Sequence, residues 1–199
     1  AVAGLSVPYY PRGEISSIEL YKRLYAGRFF YQLYFQQPGI AEAEFDGDPE
    51  GILRALFCSP DTPRADPQLG KDIAEGGGWI GRLGKPLEQP AWLSDEAIEY
   101  YVGTYRDSGF AGGLNYYRNI DRNWEIMQRY ADVKIGCPVL FLSGAMDYAT
   151  QRASVLQLTE MMSERVPDLT IEVFAGKGHW LQAEATEDVN RAMRDFLLG

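Results

Sequence analysis

The sequence predicts an α/β protein, a mostly parallel sheet flanked by helices with a large helical insertion. Three observations carry that prediction. Residues 135–199 alternate apolar strand, amphipathic helix, apolar strand and amphipathic helix, the pattern of a parallel sheet with helical crossovers. Residues 1–6, Ala-Val-Ala-Gly-Leu-Ser, read as a short buried strand. Between them, residues 9–134 hold helix-start signals but no convincing strand. The expected division is therefore 1–8 as a core strand with its connection, 9–134 as a helical domain, and 135–199 as the rest of the core.

In chain order, Val7 to Gly13 contains two prolines and a glycine and reads as a loop. Ser16 or Ser17 can cap a helix running through Leu20, Leu24 and Tyr25. The aromatic run Phe29 to Gln36 is stopped by Pro38-Gly39. Asp48-Pro49-Glu50 starts a helix with Ile52, Leu53, Leu56 and Phe57 on one face. Residues 59–93 are rich in Pro and Gly and read as a long covering loop. Ser94-Asp95-Glu96 opens a helix that Ser108-Gly109 closes. Gly112-Gly113 introduces a single helix through Trp124 to about Tyr130. Cys137 to Ser143 is a continuous apolar strand, buried on both faces, with Cys137 as a buried thiol. A helix over Thr150–Arg165, a strand over Leu169–Phe174 and a helix over Glu184–Leu198 complete the chain.

The totals exclude several classes. The formal net charge is −9 over 199 residues, with acids scattered along the chain. Nucleic acid and anionic membrane both reward a basic surface, so neither is an expected partner. No apolar run approaches the about 18 residues of a membrane span. No Cys/His cluster and no glycine-rich phosphate loop is present, so no metal and no cofactor is expected. Two cysteines, Cys58 and Cys137, imply no disulfide framework and fit a cytoplasmic location. The chain opens without Met on what reads as an interior strand, so it is expected to be the C-terminal part of a longer protein.

The chemistry centres on Ala175-Gly-Lys-Gly-His179-Trp-Leu-Gln-Ala-Glu184, which holds the only histidine. Imidazole titrates nearest to working pH and is the natural proton acceptor for hydrolysis. Its place at the C-terminal end of a strand is where open α/β sheets build their sites. Asp147 follows the preceding strand and lies 32 residues before His179. That spacing fits one strand–helix–strand crossover, which sets the two C-terminal ends side by side. A carboxylate there can hold the imidazole tautomer and stabilise its protonated form. Asp132 precedes its strand and falls at the wrong end. A nucleophile is not found: no Ser, Cys or Asp stands in the small-residue elbow that a strand-to-helix nucleophile needs.

Further motifs resemble a known family. Tyr31-Gln-Leu-Tyr-Phe-Gln36 followed by Pro38-Gly39 and Ala41-Glu-Ala-Glu44, and Ser108-Gly-Phe-Ala-Gly-Gly-Leu-Asn-Tyr-Tyr-Arg-Asn119 with Trp124, resemble the cap domain of soluble epoxide hydrolases of the α/β-hydrolase fold. Gly144-x-x-Asp147 and Gly178-His179-Trp180 resemble that family's acid and base segments. The resemblance runs along essentially the whole chain. It implies an α/β-hydrolase fold with a helical cap over 9–134, without the N-terminal half of the sheet.

It also implies a chemistry. An aspartate attacks an epoxide carbon to form an ester, two cap tyrosines protonate the opening oxygen, and the His–Asp pair activates water to release a vicinal diol. By motif position the catalytic groups are Tyr31, Tyr117, Asp147 and His179, and Gln32 and Trp180 line the substrate site with the tyrosines. Tyr116 stands where the family commonly has Trp, and it competes with Tyr117 for the second role. The implied partners are a small hydrophobic epoxide, water, and an N-terminal segment of the same protein, continuous with it or a separate chain, that carries the nucleophile. The chain by itself is then expected to be inactive and unstable. A haloalkane or haloacetate dehalogenase of the same fold, or a binding protein that lost the nucleophile, is the alternative; the absence of a cap histidine disfavours the dehalogenase.

Overall fold

The computed structural model describes residues 1–67 and 78–199. Their contacts divide into two compact units. One comprises residues 1–12, 59–61 and 129–199, the other residues 13–58 and 62–128.

The first unit is built on a three-stranded parallel sheet, β1 (Val2–Leu5), β2 (Val139–Gly144) and β3 (Leu169–Phe174), in the order β1-β2-β3. In the register, Gly4 pairs with Phe141 and Phe141 with Ile171. Side chains alternate across a strand. Val139 and Phe141 therefore pack to one side with Leu158, Met162 and Val166, while Leu140 and Leu142 pack to the other with Leu181, Ala185 and Val189. This two-sided burial is why β2 reads as an unbroken apolar run. Its first residue is Val139 rather than Cys137, because Pro138 has no N–H to give a ladder. Cys137 is half-buried, not buried as expected. β1 is also less buried than expected, with Val2 52% exposed, since β1 is an edge of the described sheet.

The second unit is helical. The expected caps are formed: Ser16, Asp48 and Ser94 accept from the N–H groups of Glu19, Gly51 and Ala97. They start α1 (Ser17–Leu24), α4 (Pro49–Leu56) and α6 (Asp95–Ser108). Between them lie α2 (Tyr31–Tyr34) and α3 (Ile40–Gly47). A core of Phe35, Phe45, Ile52, Leu53, Ile98, Val102 and Leu114 holds α2, α3, α4 and α6 together.

Four expected elements differ. The loop over 59–93 contains a short helix, α5 (Trp79–Leu83), and an antiparallel bridge from Arg64 to Pro86; its residues 68–77 lie outside the described residues. The single helix after Gly112 is two, α7 (Ala111–Arg118) and α8 (Ile120–Ile126), followed by a 3-10 turn over Met127–Tyr130. The break falls at Asn119, whose side-chain amide donates to the Asn115 carbonyl and competes with helical continuation. The helix expected from Thr150 begins only at Val155 (α9, Val155–Met162), where Ser154 and Gln157 form a capping box. Residues before it instead wrap the Asp147 turn, with Thr150 Oγ1 donating to the Asp147 carbonyl. The last helix starts earlier and breaks at Ala185, giving α10 (Leu181–Glu184) and α11 (Thr186–Leu198).

Candidate active site

In the sheet unit, the turns after β2 and β3 are joined by backbone hydrogen bonds. Ala145 N donates to the Phe174 carbonyl at 2.9 Å and Met146 N to the Lys177 carbonyl at 2.8 Å. These bonds bring Asp147 and His179 together. His179 Nδ1 lies 3.1 Å from each carboxylate oxygen of Asp147. Asp147 Oδ1 also accepts from Ala149 N at 2.8 Å. The carboxylate side chain is 1% exposed and the imidazole 45% exposed. A buried carboxylate thus backs an imidazole that is nearly half exposed.

The hydrogen bond to Asp147 raises the His179 pKa above the usual 6.5; partial burial opposes this, and the charges of Asp147 and Glu184 add to it. Asp132 forms a surface ion pair with Arg165 at 3.1 Å and is 94% exposed, far from such a role. Trp180 sets its ring 5.3 Å from the imidazole at 76°.

In the helical unit, Tyr31 begins α2 and Tyr117 lies near the end of α7. Their rings meet edge to face, centroids 5.9 Å apart at 80°. Gln32 Nε2 donates to the Tyr31 hydroxyl oxygen at 2.8 Å. Burial, followed by the neighbouring Tyr31 and Tyr116, pushes the Tyr117 pKa up, which keeps its phenol protonated as a donor. Tyr116 is 77% exposed. The two tyrosines therefore differ as successive positions on a helix should.

The curated proteins and the solved structures that the chain resembles point the same way. No protein-family model matches the chain. It is 38% identical over 200 aligned positions to Epoxide hydrolase A of Mycobacterium tuberculosis (strain ATCC 25618 / H37Rv), a match covering 100% of this chain and 61% of that protein. It is 31% identical to Epoxide hydrolase 1 of Siraitia grosvenorii, covering 99% and 61%. Among solved structures, Epoxide Hydrolase A from Mycobacterium thermoresistibile matches with a TM-score of 0.85 at 39% identity, covering 100% of this chain and 61% of that one. Along its whole length, this chain is similar to epoxide hydrolases in sequence and in fold. It adopts their α/β-hydrolase fold and spans about three fifths of the length of these relatives.

The structure groups the six sequence-predicted residues in two sets. Asp147, His179 and Trp180 stand together in the sheet unit, and Tyr31, Gln32 and Tyr117 in the helical unit. The structure adds residues that sequence reasoning missed. Trp79 stacks on Tyr31, centroids 4.8 Å apart at 7°. It comes from the Pro/Gly-rich stretch, which carries no periodic signal. Glu44 holds Trp79 in place by accepting from its N–H and from that of Ile80, both at 2.9 Å. Arg118 makes a two-pronged ion pair with Glu42 and donates to the Phe35 carbonyl, tying the helix of Tyr117 to the segment that follows Tyr31. These partners are far apart in sequence and have no local signature. Ser6 donates from Oγ to the His179 carbonyl at 2.6 Å.

Proposed function

We propose that the protein of which this chain is part converts epoxides to vicinal diols. The observation that carries this reading is the Tyr31–Tyr117 pair, two neighbouring phenols in a chain that matches epoxide hydrolases along its whole length. An acyl-transfer hydrolase needs backbone donors for an oxyanion, whereas an opening epoxide needs a proton on an alkoxide.

In the proposed reaction a carboxylate attacks one epoxide carbon, the C–O bond breaks, and a phenol proton passes to the leaving oxygen. His179 Nε2 then takes a proton from water, whose oxygen attacks the ester carbonyl. The alcohol leaves with a proton from the imidazolium, and the carboxyl group gives up its proton to the phenolate, restoring both carboxylate and phenol. Asp147 stabilises the transient imidazolium. Gln32 orients the Tyr31 hydroxyl, and Trp180 contributes to the substrate site. The attacking aspartate comes from a segment of the same protein outside these 199 residues, on the same chain or another. Among the described residues no helix is long and apolar enough to cross a membrane; a cytoplasmic setting is part of the proposal and rests on the cysteine usage.

The test is diol formation from styrene oxide by the intact protein, followed by chromatography. Replacing His179 by Gln is expected to trap the ester, seen as a mass increase equal to one substrate. No diol from styrene oxide or from a panel of aliphatic epoxides would reject the reading.

A further inference from the structure

Glu184 closes α10 and its side chain turns back towards the start of that helix. One carboxylate oxygen accepts from Gly178 N at 2.8 Å and the other from Trp180 N at 3.1 Å. These two N–H groups flank His179 on either side. A third contact fixes the same residue, because the His179 carbonyl accepts from Ser6 Oγ at 2.6 Å. The helix carrying Glu184 is anchored in turn by Leu181, which is fully buried against β2. Gly178 is packed as tightly: a β-carbon there would stand 2.7 Å from Pro60 Cγ and 3.1 Å from Glu184 Oε1.

We propose that Glu184 is a positioning residue that locks the 178–180 backbone so that the His179 ring stays on Asp147. Two carboxylate oxygens matched to two N–H groups remove the backbone rotations that would swing the ring away. What remains is the side-chain torsion, which the contact with both oxygens of Asp147 fixes. The charged groups acting on the imidazole are Asp147, from the turn after β2, and Glu184, from α10. A carboxylate at residue 184 therefore does more than cap a one-turn helix: it holds the base and adds negative charge beside it. The kinetic part of this inference rests on the function proposed above, and the titration part does not.

The experiment is an NMR titration of the His179 ring in the intact protein, with its signal assigned by its loss in the His179→Gln variant. Glu184→Gln keeps the shape but removes the charge and one of the two acceptors. It is expected to move the His179 titration to lower pH and to weaken the Nδ1-proton signal of the Asp147 contact. Glu184→Asp keeps the charge, cannot span both N–H groups, and should fall between Gln and the parent. Ester hydrolysis in Glu184→Gln should slow on the order of tenfold to a hundredfold, with ester formation unchanged, as displacement of a catalytic group does. An unmoved titration with a lowered Tm overturns the inference, because a purely structural cap behaves that way. A Glu184→Gln protein that cannot fold overturns it equally. If the parent protein forms no diol, the functional reading fails, while the titration still decides the role of Glu184.

Discussion

Gly144, the last residue of β2, lies against the backbone of Lys177 so closely that a β-carbon on it would stand 2.3 Å from the Lys177 carbonyl oxygen. The Gly178 carbonyl would be only 2.4 Å away. The loop that presents Asp147 and the loop that presents His179 press together at this residue, and only glycine leaves room for the contact. Gly144→Ala is therefore expected to push the loops apart. The cost should be about 1–3 kcal/mol, the range for forcing a methyl group into a packed interior. Denaturant unfolding measures that cost. The His179 titration, moving to lower pH as the Asp147 contact opens, shows that the damage lies at the pair.

The two neighbouring tyrosines at 116 and 117 make a sharp contrast. Tyr117→Phe and Tyr31→Phe should each slow epoxide opening on the order of a hundredfold, the usual loss of one donor to a developing oxyanion. Tyr116→Phe should leave the rate unchanged, since the residue is 77% exposed and its ring borders Tyr117. Single-turnover ester formation on one epoxide, compared across the three variants, checks the assignment. A loss at Tyr116 with none at Tyr117 would reverse it.

The pH dependence follows from the raised His179 pKa, caused first by its hydrogen bond to Asp147. A folded value above 6.5 means that the imidazolium–Asp147 contact contributes stability that is fully present below the unfolded pKa. That contribution is lost as pH rises through the folded pKa. Catalysis runs the other way, because only neutral imidazole can take a proton from water. Ester hydrolysis should rise through the same folded pKa. Asp147→Asn is expected to move that limb to lower pH and to lower the plateau. The pH profile of single-turnover hydrolysis reads both changes.

Arg118 and Glu42 have side chains only 13% and 16% exposed, so breaking the pair leaves a charge largely out of water. Glu42→Gln should cost about 3 kcal/mol, the lower end for a buried pair that loses one partner. The Arg118 hydrogen bond holds the Glu42 carboxyl below its usual pKa. Its contribution is therefore present above the unfolded value and lost as pH falls through the folded one. Acid unfolding curves of the parent and of Glu42→Gln should converge at low pH.

Leu142 is fully buried at the centre of β2 and packs with Leu140, Leu181 and Val189. Leu142→Ala should destabilise the sheet unit by about 2–5 kcal/mol through lost burial and the cavity left behind. Thermal unfolding followed by circular dichroism measures it.

Much of the architecture was written locally. The caps at Ser16, Asp48 and Ser94 are local because a side chain three residues away satisfies the orphan N–H groups of a helix start. The strands β2 and β3 are local because burial on both faces, or alternation, leaves its period in the chain. The Asp147–His179 pair was legible for a related reason: one crossover between adjacent parallel strands converts a sequence spacing into a spatial contact. The helix breaks at Asn119 and Ala185 were not legible, since both segments keep helical periodicity across the break.

The sequence by itself determined the type of sheet, the helix starts capped by Ser16, Asp48 and Ser94, and the candidates for acid, base and phenol roles. Only the tertiary structure decided that Tyr117 rather than Tyr116 meets Tyr31, that Trp79 stacks on Tyr31, and that Glu184 and Ser6 clamp the backbone of His179. The reason is physical. Caps and periodicities act over three or four residues, whereas ring stacking and loop clamping join groups brought together only when the core closes.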